Sequence, residues 1–321
     1  MRHLYLLLFF ATIAAQAQNG GKPRAWAAPR TPDGQPDLQG IWTNTSLTPF
    51  ERPRDLADKE YFTPEEAAAY AKQQAQQQNR DRRGATAEED VGGAYNDAWF
   101  DRGSAVSSNR RTSVVIDPKD GRVPALTPAA ARAVAARAEI VRRPPDSAHD
   151  FTNNVQCLLW GTAGPPMVPG PYNNNYQFIQ TKDYVAIQVE MIHDTRIIPL
   201  DSRAHMPANV HQWLGDSLGH WEGETLVVDT RNFRGDTNFR GSDGNLHLVE
   251  RFTRTAPDVL MYQFTVDNPT AFTHQWIGEI TMTSTPGPIY EYACHEGNEA
   301  LPDMLRGARA QEKAKAVTSP R

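Results

Sequence analysis

Cysteine is nearly absent: Cys157 and Cys294 are the only two in 321 residues. Neither sits in a CxxC pair or a Cys/His set with zinc spacing, and no CxxCH occurs. Structural zinc of the usual kind, thioredoxin-like exchange and c-type haem attachment therefore lose their motifs. A Rossmann fingerprint, a P-loop and an HExxH helix are missing as well. A basic surplus is also lacking. Lys and Arg number 33 against 38 Asp and Glu, for a net charge of -5. Nucleic acid and anionic membrane surfaces both demand a basic patch, so neither is expected as a partner. After Leu4–Ala15 no apolar run approaches the ~20 residues of a spanning helix, and no membrane span is expected. No cofactor is expected either.

What is present begins with an export pattern. Arg2 and His3 give a basic start, Leu4–Ala15 is apolar but short, and Ala15-Gln16-Ala17 fits the small-x-small cleavage rule. Residues 1–17 read as a signal peptide, which predicts a periplasmic or secreted protein. In that oxidising setting Cys157 and Cys294 are expected to pair, with reactive thiols as the alternative. A bridge of this span is worth roughly 2–4 kcal/mol.

Residues 18–60 are rich in Pro, Gly and Asp and read as an extended arm, anchored by Ile41 and Trp42. Residues 61–150 form a helical and loop region. Thr63, Pro64 and Glu66 spell a capping box, and Thr127-Pro128 starts a second helix that ends before Pro144-Pro145. Residues 151–300 are β-rich. Strands are predicted at 176–181, 184–198, 225–230, 246–255, 259–266, 275–283 and 289–294, with short turns between them. Such a run implies an antiparallel meander closing into a lipocalin-like β-barrel, because closure removes exposed edges. A two-sheet sandwich is the alternative. Residues 301–321 are a C-terminal helix or tail.

The segment from Tyr184 to Ile198, read as one strand, alternates an apolar face with Gln188, Glu190, Asp194 and Arg196. If that polar face lines the barrel, Glu190 becomes a buried general base, with Asp194 and Arg196 orienting it. The other reading is a solvent-facing ion pair. Glu250, among Leu246, Leu248 and Phe252, repeats the inward pattern. His295 and Glu296, beside Cys294, supply a second proton carrier. Asn174, Tyr176, His193, His211, Asn238 and Glu250 are candidate ligand contacts. His193, His205 and His211 match no compact metal motif, so no metal is expected. Asp216-Ser217 reads as a turn.

Four segments carry a resemblance: Ser113–Pro128, Glu190–Leu200, Gly215–Phe233 and Tyr290–Asn298. They resemble a family of uncharacterised exported bacterial proteins, and the likeness spans roughly residues 31–310. Lys119 departs from the pattern, which has a second Pro in that turn. The resemblance implies export and a shared β-rich fold, and it transfers no mechanism. The residues themselves point to a cofactor-independent acid–base enzyme acting on a small, partly apolar molecule by elimination, isomerisation, hydration or hydrolysis. The alternative is a lipocalin-like carrier of a hydrophobic ligand.

Overall fold

The structure is a computed structural model that describes residues 26–56, 58–79, 86–92, 100–236 and 239–318. The signal-peptide segment, most of the start of the arm and Asn238 lie outside the described residues. The predominant element is one antiparallel sheet of ten strands nearly closed into a barrel, with helices at its periphery. No helix among the described residues is long and apolar enough to cross a membrane.

Two meanders make the sheet. The first is β3 (Asn175–Gln180), β4 (Tyr184–Val189) and β5 (Thr195–Pro199). The second is β6 (Asp216–Glu222), β7 (Thr225–Arg231), β8 (His247–Ala256), β9 (Val259–Asp267) and β10 (Trp276–Ser284). The arm joins them: β1 (Gly40–Thr43) pairs with β3 on one side and β10 on the other. It is thus a strand within the barrel, with Trp42 fully buried, and more than a wrapping segment. β2 (Val115–Asp117) pairs with β10 further along the same edge. β5 and β6 face each other across an unpaired seam, where Ile198 and Leu200 pack against Gly219.

The lumen is solid. Alternation along β8, β9 and β10 turns Leu248, Phe252, Tyr262, Phe264 and Trp276 inward, all fully buried. Their rings form a continuous train: Phe178–Phe252 at 5.4 Å, Phe252–Tyr262 at 4.9 Å, Tyr262–Phe264 at 5.5 Å and Phe264–Trp276 at 5.8 Å. Gly278 sits directly across from Phe264, and a Cβ there would lie 2.2 Å from the ring. Glycine is what lets the ring lie flat on the opposing strand. A lipocalin-like open lumen is therefore not what this barrel has.

The helices follow their caps. α1 (Pro64–Gln77) carries both arms of the predicted capping box between Thr63 and Glu66. α2 (Ala87–Gly92) is one short turn and a half. α3 (Pro128–Arg142) starts at Thr127, whose hydroxyl accepts from Ala130 N at 3.2 Å. α4 (Ala300–Thr318) closes the chain. Residues 289–294 are not a strand but an extended coil, joined to the body by the Cys157–Cys294 disulfide.

Candidate binding cleft

The structure scatters the residues expected to form an acid–base centre. The stretch read as one strand is a hairpin, β4–β5, with Glu190–Asp194 in its turn. Ile192 and His193 take left-handed φ angles of 63° and 61°. This breaks the parity count: Ile187 now pairs with Arg196, and Arg196 shares the inward face with the apolar residues of β4. Glu190 is buried at the barrel mouth. Its Oε2 accepts from Asn175 Nδ2 at 2.7 Å, and its Oε1 accepts from Tyr290 N at 3.1 Å. It fastens the C-terminal coil to the sheet. Arg196 does not hold Asp194. The Asp194 carboxyl is half-buried, has no hydrogen bond or ion pair among the described residues, and is pushed up by burial. His295 and Glu296 are exposed, and neither side chain bonds to Glu190.

Arg196 instead crosses the seam. Its guanidinium donates to Glu250 Oε2 at 2.6 Å and Oε1 at 3.2 Å. It also donates to Ser217 Oγ at 3.1 Å. Tyr262 donates to Glu250 Oε1 at 2.8 Å, and burial together with the Glu250 charge pushes the tyrosine hydroxyl well up. Glu250 is 0% exposed. It faces inward, as its strand neighbours imply, but touches no open space. This network ties β5 to β6, β8 and β9 where main-chain pairing is missing. Ser217 belongs to β6 and is no turn residue.

The remaining candidates are likewise engaged. The Asn174 side chain closes the 170–174 loop and donates to Asp101 O at 2.7 Å. Tyr176 is buried, with its hydroxyl pushed up by burial. His193 Nε2 lies 3.0 Å from Gln188 Nε2, and His211 Nδ1 lies 3.1 Å from Phe233 O. His205 turns elsewhere: its ring lies between Asp216 and Asp229, each at 2.9 Å. Asp229 also meets His247 Nε2 at 2.7 Å and Arg231 Nε at 2.9 Å. Burial works against the Asp229 charge, but hydrogen bonds from His247 and Arg231 outweigh it and hold the carboxyl far below its ordinary range.

The open space lies outside the barrel, under α3. That helix is fixed at both ends. At its start, Thr127 N donates to Ala271 O at 2.8 Å and Thr127 Oγ1 to Thr270 O at 2.7 Å. Near its end, Arg137 donates to the carbonyls of His149 and Phe151 at 3.1 and 2.6 Å. Between these staples none of its residues is buried. Val134 and Val141 are 42% and 45% exposed. They lie two turns apart on the same face as Ala130, Arg137 and Ala138. Gly241, at φ 94°, brings the barrel close: a Cβ there would meet Leu126 at 3.0 Å and Val134 at 3.3 Å.

This face forms one wall of a cleft of about 1300 Å³. Leu158, Leu159 and Trp160 make the opposite wall, on the loop that carries Cys157. Trp213 and Ser242 line the floor, and Arg234 lies 4.2 Å over the Trp213 ring. Ser242 Oγ is buried without a hydrogen-bond partner among the described residues. The walls are mainly apolar with a few fixed polar groups, the usual character of a small-molecule site. None of Asn174, Tyr176, His193, His211 and Glu250 lines it. The legible signal was α3 itself, an Ala-rich helix with a valine pair two turns apart and no broad apolar stripe to bury.

The fold and cleft define a barrel-based protein with a solid lumen and an external apolar groove. Comparison with family models, curated proteins and solved structures gives no match for the chain.

Proposed function

We propose that this is an exported binding protein that holds a small, partly apolar organic molecule in the cleft beneath α3. One observation carries the reading. The lumen is filled by packed rings, whereas the cleft leaves Val134, Val141 and Leu158 exposed around a large unfilled volume. Soluble proteins leave clustered apolar surface open chiefly where something binds. The disulfide between loops 137 residues apart suits an oxidising compartment and braces one cleft wall. Acid–base catalysis by Glu190 has less support, since both its oxygens accept bonds that hold the fold.

The test uses an apolar fluorescent dye and the variant Ala138→Trp, which places an indole on the exposed face of α3 that lines the cleft. The wild type is expected to bind the dye, and the variant to bind it at least ~10-fold more weakly with unchanged melting temperature. Equal binding by both proteins, or none by the wild type, would overturn the proposal.

A further inference from the structure

We infer that the cleft selects an apolar molecule bearing a carboxylate, with Arg137 receiving the acid group; this rests on the cleft reading above. The argument is an account of donors and acceptors. Two carboxylates line the cleft, Asp236 and Asp243. Asp236 takes two bonds from Arg234, Nε and Nη2, both at 3.0 Å. Asp243 accepts on Oδ1 from Asn245 N at 2.9 Å, Thr270 Oγ1 at 3.0 Å and Asn268 Nδ2 at 3.1 Å. Oδ2 accepts from Asn245 Nδ2 at 3.3 Å and lies 2.8 Å from Thr270 Oγ1, whose single proton the two Asp243 oxygens share with Asn268 Oδ1. A carboxylate offers about four lone-pair sites, so Asp243 is saturated and holds the loop rather than a ligand.

The cations differ. Arg142 pairs with Glu139 at an exposed position, and Arg234 is taken by Asp236 and Trp213. Arg137 meets no carboxylate within ion-pair distance among the described residues, and its charge reaches Asp236 only at longer range. Two of its donors go to main-chain carbonyls. A guanidinium has five, so three remain. The side chain sits between Val134 and Val141 on the cleft face of α3, less exposed than either valine. A planar cation with spare donors, fixed by two carbonyls on an apolar wall, matches a carboxylate carrying a hydrocarbon body. The acidic side chains of the cleft suit an ammonium group less well, since Asp236 is held by Arg234 and Asp243 by its own loop.

Decanoate, decanol and decylamine separate the possibilities in direct titrations and in competition with the dye. Decanoate is expected to bind at least ~10-fold more tightly than decanol, and decylamine no better than decanol. Salt should weaken decanoate and leave decanol unchanged. Arg137→Gln should bring decanoate down to the decanol level while decanol binding persists, and Arg137→Lys should restore part of the difference. Equal affinity for decanoate and decanol would overturn the carboxylate inference and leave the cleft reading standing. Dye binding that neither compound displaces has the same meaning. Loss of dye binding by the wild type instead removes the cleft itself. If Arg137→Gln fails to fold, the wild-type ratio and its salt dependence still decide.

Discussion

The lumen and the cleft are built from the same kinds of side chain and differ in what those side chains face. Inside the barrel, aromatic rings face one another, and the Arg196–Glu250 pair is desolvated with each charge meeting the other, although Arg196 Nε has no partner among the described residues. Under α3, valine, leucine and tryptophan face open volume, and a guanidinium keeps donors in reserve. A buried ionisable residue is thus no sign of chemistry by itself. What separates architecture from a site is whether its charge is met inside the fold or faces open volume.

The largest effect that sharpens this contrast is in the lumen. Glu250→Leu leaves Arg196 as an uncompensated buried cation. Removing one partner of such a pair typically costs about 3–5 kcal/mol. Replacing both, as Arg196→Met with Glu250→Leu, is expected to recover most of the loss, since neither charge then needs a partner. Urea unfolding measures both, and dye binding in the cleft should persist in the double variant. A double variant no more stable than Glu250→Leu alone would show that the pair does more than satisfy itself.

How much of this was legible depended on how local each feature is. The caps at Thr63 and Thr127 lie within four residues of what they bond, and both helices stand where those residues put them. Strands β7 to β10 run seven to ten residues each, and two-residue breaks join β6 to β7 and β8 to β9, so barrel closure was readable too. The β4–β5 hairpin was not. A β-branched residue such as Ile192 is a poor choice for φ near 63°. That turn is held by tertiary bonds, Glu190 N to Asn175 O at 3.0 Å among them. β1 joins the sheet through partners more than 130 residues away, which no short-range pattern announces. The cleft is likewise a meeting of distant segments, and neither α3 nor the 152–162 loop carries a motif for it.

Glu190 supplies the intermediate effect, because it stands at the mouth and not in either region. Glu190→Gln keeps the shape but puts an amide where two donors now meet two acceptor oxygens. One of those bonds must become donor against donor, at a cost of about 1–3 kcal/mol. The expected signature is local: faster hydrogen exchange at the Tyr290 amide and looser packing of the disulfide-bearing coil. Ligand binding should fall only modestly, through the Cys157 side of the cleft wall. Complete loss of a measured turnover in this variant would instead return Glu190 to catalysis.

The smallest effects come from two carboxylates whose environments push in opposite directions. For Asp229, burial opposes the charge, but His247 and Arg231 overcome it, so the folded-state value lies below the ordinary ~3.9. Its stabilising contribution is present above that range and is lost as pH falls through it. For Asp194, burial acts without a cation, so the folded value lies above the unfolded one. Here the unfolded chain gives up its proton first, and stability declines as pH rises between the two values. Asp229→Asn should therefore lower stability at neutral pH and flatten the acid limb of the curve. Asp194→Asn should match the wild type in acid and exceed it at neutral pH by under ~1 kcal/mol, the carboxyl being only half-buried. Urea unfolding from pH 3 to 7 reads both signs in one series. An Asp194→Asn protein less stable than wild type at neutral pH would mean that this carboxylate has a partner in the folded chain, and that its burial is compensated as that of Glu250 is.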